Sequence, residues 1–165
     1  MSARQIQINL AEQTLSLLDG AEEISCYPIS SALNGVGEEE GSGCTPRGLH
    51  RIRIKLGAGQ PENAVFVGRR ATGERYSPEL AANHPDRDWV LCRILWLTGM
   101  ESGRNRGGRV DSLRRYIYIH GCPDSEPMGV PLSHGCIRMR NRDLQVLFDQ
   151  VETGMRVDIQ EGADG

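Results

Sequence analysis

Apolar residues recur at every second position along most of this chain, and that period fits strands and excludes a helical bundle. Ile6, Ile8 and Leu10 alternate with polar residues, and Leu15 and Leu17 resume the pattern after a short break. Leu18-Asp19-Gly20 then supplies a turn, which predicts a hairpin. The strand-like piece from Ile24 to Ile29 carries Pro28, which belongs at a sheet edge or a bulge because it has no N–H to donate. Residues 34–44, rich in glycine and glutamate, read as a loop, and Thr45-Pro46-Arg47-Gly48 reads as a turn. Ile52, Ile54 and Leu56 alternate with Arg51, Arg53 and Lys55. Residues 57–88 read as irregular around a short strand at Val65–Val67. Trp89 to Leu97 is apolar at odd and even positions apart from Arg93, the mark of a central strand covered on both faces. After a glycine- and arginine-rich loop, Tyr116 to His120 is the next strand, and it delivers His120 at its end. Val157 and Ile159 alternate in a last strand.

Helical spacing occurs once. Leu144, Leu147, Phe148 and Val151 fall at i, i+3, i+4 and i+7 and make one apolar stripe. Asn141 has the chemistry of an N-cap, Asp143 suits the first turn, and Gly154 suits the position after the last turn. The predicted fold class is therefore mainly β, with one helix packed near Cys136.

The 165 residues are enough for one domain with a real core. A net charge of −3 argues against a nucleic-acid binder, which would ordinarily be basic. Cys26, Cys44, Cys92, Cys122 and Cys136 are odd in number and lack the spacing of a disulfide framework. Ile94 to Leu97, the longest strongly apolar run, is too short to span a bilayer, so no membrane association is expected. Glu12 and Asp19 interrupt the first apolar segment, which leaves no signal-peptide core. The expected location is cytoplasmic, or periplasmic if a leader has been removed.

Chemistry concentrates in Ser133-His134-Gly135-Cys136-Ile137-Arg138, which follows His120. A free thiol titrates near 8.5, so a nucleophilic cysteine needs a base or a positive environment. His120 and His134 are the candidate bases, and Arg138 adds positive charge. Gly135 lets the backbone approach a substrate closely, and the N–H groups of Gly135 and Cys136 are candidates for an oxyanion hole. The repeated triplet His120-Gly121-Cys122 and His134-Gly135-Cys136 leaves a second reading open, a tetrahedral zinc site in a binding module without turnover, although zinc pairs usually stand two to four residues apart. Cys122 is then either a packing residue or a redox partner able to cap Cys136 as a disulfide.

These residues carry a resemblance to the L,D-transpeptidase catalytic domain (YkuD domain), whose signature is a histidine, a variable gap, and Ser/Thr-His-Gly-Cys. The likeness extends to Thr45-Pro46-Arg47-Gly48, Arg93 to Gly99, Asn105-Arg106-Gly107-Gly108, Arg115 to Gly121 and the segment after Asn141, covering about residues 5 to 160. It implies a β-sandwich-like fold, a single catalytic domain over 5–160 without a separate wall-binding module, and no cofactor. It also implies acyl transfer on peptidoglycan stem tetrapeptides at the L,D bond before the terminal D-alanine. By position, Cys136 is the implied nucleophile, with His120 its general base, oriented by the carbonyl of Gly121. His134 lies in the pocket and polarises substrate or oxyanion, while Ser133 and Arg138 hold the loop. Cys122 departs from the family, where a small polar residue is common. With no export signal, the expected acceptor is water, giving an L,D-carboxypeptidase of muropeptide recycling. The alternative is a periplasmic L,D-transpeptidase that cross-links the third residues of neighbouring stems. Residues 57–88 are expected to shape the cleft. Arg47, Arg69, Arg70 and the arginines from 104 to 115 are either partners for substrate carboxylates or solvated loop charge.

Overall fold

The computed structural model describes residues 4–162. The alternating segments are strands: β1 (Arg4–Asn9), β2 (Thr14–Asp19), β3 (Glu22–Ser30), β4 (Gly48–Leu56), β5 (Ala64–Val67), β6 (Arg70–Arg75), β7 (Val90–Gly99), β8 (Tyr118–Cys122), β9 (Ile137–Arg140) and β10 (Arg156–Gln160). Helices α1 (Pro78–Asn83) and α2 (Asn141–Gln150) and a short 3-10 turn at Gly108–Val110 complete the fold. The strands hydrogen-bond in the order β4-β10-β1-β2-β3-β9-β8-β7-β5-β6, and β4 also pairs with β7. That extra pairing closes eight strands into a ring, from which the β5–β6 hairpin branches off β7. Closure removes the open edges that an exposed sheet would present.

Burial explains why these segments pair as they do. Ile6, Ile8, Leu15, Leu17, Ile52, Leu95, Leu97, Ile119, Ile137, Met139, Val157 and Ile159 form one dry cluster, joined by Leu144, Leu147 and Phe148 of α2. Each side chain of this size contributes about 1.5–3 kcal/mol when removed from water. A one-residue slip would turn the apolar set outward, so the register is firmly specified. β7 pairs with β4, β5 and β8, which confirms the central strand expected from its two apolar faces. Pro28 lies in the part of β3 that pairs with β2 alone, because β9 reaches only Ile29 and Ser30.

Three local expectations are corrected. Residues 57–88 contain more regular structure than the single short strand, since β6 pairs with β5 and α1 follows. Ser77 caps α1 by accepting from the Leu80 N–H, with Pro78 in the first turn. Asn141 is not the cap of α2: Arg140 takes that place, without a side-chain bond, and Asn141 is the first helical residue and fully buried. The helix ends at Gln150, ahead of Gly154, which instead serves the turn into β10.

The topology sets the site. β8 and β9 are parallel neighbours, and parallel neighbours need a long crossover. Residues 123–136 make that crossover and end on Cys136 beside β8. With Ile119 opposite Ile137 and His120 opposite Arg138, Ile119, Ile137 and Met139 turn into the main core. By the two-residue period, Tyr118, His120, Cys136 and Arg138 turn to the other face.

Candidate active site

Cys136 is partly exposed and packs against the smaller apolar cluster of Ala64, Phe66, Ile94 and Tyr118. Its sulfur lies 3.2 Å from the Tyr116 carbonyl, to which the thiol donates, and 3.3 Å from the Tyr118 N–H, which donates to sulfur. Tyr116 adopts a left-handed φ of 57°, rare for a bulky residue, in the segment that turns its carbonyl toward the thiol. Burial pushes the Cys136 thiol up to about 12, reinforced by the Asp88 charge, against the Tyr118 N–H, Arg138 and Arg115. The resting group is therefore a thiol.

His120 is buried in full, and its Nδ1 sits 2.7 Å from the Gly121 carbonyl. A carbonyl only accepts, so Nδ1 carries the proton and Nε2 keeps a lone pair. Burial lowers the pKa of His120, partly opposed by the Asp88 charge and the bond to Gly121, so the ring is neutral at pH 7. Among the described residues the hydrogen-bond partners of the Cys136 sulfur are the two backbone groups above, and His120 is not one of them. A Cβ on Gly121 would meet Leu91 O at 2.7 Å and collide with the Asn141 amide, which is why this strand position carries no side chain. Beside it, β7 bulges between Leu91 and Ile94, with Cys92 at φ 72°. Bulges of this kind re-aim a strand next to a site.

The loop before Cys136 is held at several points. Ser133 Oγ donates to the Cys136 carbonyl at 2.5 Å and accepts from the Gly135 N–H at 3.3 Å. Thr45 Oγ1 donates to the Gly135 carbonyl at 2.9 Å and accepts from the Ala32 N–H at 3.0 Å. Gly135 has φ 131°, a conformation L side chains avoid. The Gly135 N–H is thus turned to Ser133, not outward, and of the two donors considered for an oxyanion hole it is the engaged one. Arg115 donates to the carbonyls of Gly37, Glu38 and Cys44 and ties that loop to the site. A cavity of about 380 Å³ opens here, lined by Glu40, Arg115, Ile117, His134, Gly135 and Cys136 among others.

His134, exposed, stands between this cavity and a second of about 310 Å³ that includes Asp86, Asp88, Trp89, Glu126 and Arg138. Asp88 is the residue that sequence reasoning missed. One carboxylate oxygen is 3.3 Å from His134 Nδ1 and the other 3.3 Å from the nearly buried Arg138 guanidinium, which also faces Glu126 at 3.7 Å. Burial opposes ionisation of Asp88, but the charges of His120 and Arg138 and the His134 hydrogen bond outweigh it and hold the carboxyl below the usual range. Nothing in the local sequence separates Asp88 from its loop neighbour Asp86. Ser133 thus bonds within the loop, while Arg138 on β9 pairs with Asp88 and Glu126.

Cys122 is buried, its thiol donates to the Met139 carbonyl at 3.5 Å, and burial pushes it up to about 12. Cys122 pairs with Arg140 and Cys136 stands opposite Tyr118, so the two sulfurs are four strand positions apart, roughly 13 Å along the strands. That span rules out the disulfide. Among the described residues no three His, Cys, Asp or Glu side chains gather as a metal site requires. Arg47 is occupied by Glu38 and Glu161, and Arg104 by Glu101.

A buried neutral imidazole and a reachable thiol thus share one face of adjacent strands. The sequence profile of the L,D-transpeptidase catalytic domain (YkuD) matches residues 3–159, and the chain belongs to that family. It is 44% identical over 43 residues to the Probable L,D-transpeptidase YbiS of Escherichia coli, a stretch covering 26% of this chain and 14% of that protein. It is 27% identical over 156 residues to the Probable L,D-transpeptidase YcfS of E. coli, covering 93% of this chain and 43% of that one. The chain thus spans less than half the length of these curated relatives. Its fold is similar to Bd1075 of Bdellovibrio bacteriovorus (TM-score 0.60, 17% identity, 98% of this chain and 49% of that one). It is likewise similar to L,D-transpeptidase 3 of Mycobacterium tuberculosis (TM-score 0.59, 18% identity, 97% and 62%).

Proposed function

We propose that Cys136 attacks the carbonyl of the L,D bond before the terminal D-alanine of a peptidoglycan stem tetrapeptide. The observation that carries this reading is the His120–Gly121 bond, which leaves a neutral ring with its Nε2 lone pair free on the strand face that bears Cys136. Nε2 takes the thiol proton as sulfur bonds to carbon, because a thiol held this far above neutrality is not ionised beforehand. The same proton then passes to the departing D-alanine amine. A thioacyl-enzyme remains, and an acceptor releases it with His120 again acting as base. His134, held by Asp88, lines the cleft where the carbonyl oxygen becomes negative.

The two cavities that meet at His134 leave room for a donor beside Cys136 and an amine acceptor on the far side, where Asp86, Asp88 and Glu126 stand with Arg87 and Arg138. Hydrolysis, the carboxypeptidase reading with a cytoplasmic recycling role, is favoured by one observation, the exposure of His134 and partial exposure of Cys136, which leave a thioester open to water. Incubation with a defined disaccharide-tetrapeptide separates them, with cross-linked dimer plus D-alanine expected for transfer and tripeptide for hydrolysis. Cys136→Ala and His120→Ala should each lose about 10³-fold or more in turnover, and His134→Ala less, about 10²-fold by loss of one polarising donor. Full activity in Cys136→Ala would refute the nucleophile.

A further inference from the structure

Arg69 stands where local chemistry does not want an arginine. Val67 pairs with Arg70 across the β5–β6 hairpin, and the two residues between them, Gly68 and Arg69, have φ of 56° and 66°. A two-residue turn with both φ positive prefers Asn-Gly, and a long side chain in its second position is unfavourable. Places where a local rule is broken are where function is expected. The side chain is not left in solvent. Its guanidinium carbon lies 4.9 Å from the ring centroids of both Trp96 and Tyr116, and one nitrogen donates to the Tyr118 hydroxyl at 3.4 Å. Trp96 in turn meets Tyr118 edge-on at 5.7 Å. The two tyrosines are the residues whose backbone groups hold the Cys136 sulfur. Stacking fixes the plane of the guanidinium and leaves donors to spare. Among the described residues no carboxylate pairs with Arg69, so a preset cation overlooks the thiol without a counter-charge.

Distance selects the anion. The sulfur contacts the backbone end of Tyr118 and the guanidinium its hydroxyl end, two points roughly 6–8 Å apart within one tyrosine by ordinary bond lengths. A terminal D-alanine carboxylate would lie only about 3–4 Å from the attacked carbonyl, too close to reach. A carboxylate at the far end of a diaminopimelate side chain lies about 7–8 Å from it, which leaves one hydrogen bond to span. We propose that Arg69 is a specificity-determining residue, pairing with a carboxylate at the distal end of the side chain whose own carbonyl Cys136 attacks. This rests on the acyl-transfer reading above.

The test uses two tetrapeptides that differ only at that carboxylate, one with diaminopimelate as third residue and one with its distal carboxyl amidated. The wild type should favour the acid by about 10- to 100-fold in kcat/KM, the worth of one charge-assisted pair. Arg69→Asn keeps a residue that tolerates the left-handed turn and should bring the ratio close to one, with turnover of the amide and the melting temperature little changed. Arg69→Lys should restore part of the preference. A ratio unchanged in Arg69→Asn, or an equal loss on both peptides, would overturn the assignment while leaving acyl transfer standing. No D-alanine from either peptide with the wild type would instead bring down acyl transfer, and this assignment with it.

Discussion

Replacing Asp88 by Asn probes the missed part of the site, because one carboxylate holds two groups of different burial. Arg138 is nearly buried, while the Asp88 side chain is 45% exposed, so screening weakens the pair. A charge-assisted bond to a buried guanidinium is worth about 1.5–3 kcal/mol, and the exposed partner puts this one toward the lower end, about 1–2 kcal/mol. Glu126, at 3.7 Å, continues to compensate Arg138 in the variant. For a chain of this length that loss lowers Tm by about 2–8 °C at pH 7. The pH dependence has a defined sign. Asp88 is held below its ordinary value, so its contribution is present above the unfolded carboxyl range and is lost as pH falls through the lower folded value. The Tm difference between wild type and Asp88→Asn should persist from pH 7 to 5 and shrink below about pH 4. The same carboxylate raises the pKa of His120. Without it the ring gives up its proton more readily, and the acid limb of the acylation rate should move to lower pH. Calorimetry across pH and the rate of D-alanine release measure the two effects. An unchanged Tm at pH 7, or an acid limb that moves upward, would refute the reasoning.

Gly121→Ala forces a methyl into the Asn141 amide and the Leu91 carbonyl, and should cost about 3 kcal/mol or more, seen as a Tm drop of roughly 6 °C or greater. Thr45→Val strips partners from the Gly135 carbonyl and the Ala32 N–H, with an expected loss of about 1–3 kcal/mol in chemical denaturation and slower acylation. Alkylation followed by peptide mass mapping should label exposed Cys26 while Cys92 and Cys122, with thiols pushed up to about 11 and about 12, stay unlabelled in the native state. At Cys136 the alkylation rate should keep rising with pH beyond 9, and a plateau by pH 7 would contradict a resting thiol. A carbapenem, whose strained carbonyl mimics the scissile amide, should add covalently to Cys136 and to no other cysteine on intact-mass analysis.

How far the sequence reaches depends on which force places each residue. Strands that bury one face announce themselves, so β1, β2, β4, β7 and β10 are legible in their alternation, as is His120 at the end of an apolar run. β6 (Arg-Ala-Thr-Gly-Glu-Arg) buries none of its residues, and only pairing with β5 makes it a strand. Nothing in its period could reveal it. The start of α1 is legible in Ser77-Pro78-Glu79, a capping signal set among turn residues. Asn141 shows the opposite error: cap chemistry was present, but the space above Gly121 draws its amide into the core, and tertiary packing overrode the local preference. Cys136 and His120 stand out as candidates because their chemistry in this spacing is rare. The parts played by Asp88 and Thr45 are not legible, and Arg69 reads only as one of several arginines able to meet a carboxylate or to be loop charge, because each acts through partners far away in the chain. Asp88 faces His134 and Arg138, Thr45 faces Gly135, and Arg69 faces aromatic rings on β7 and before and within β8. Such residues become functional only after the ring of strands closes. A mutational scan confined to the motif would therefore reach Cys136 and His134 and miss Asp88, Thr45 and Arg69.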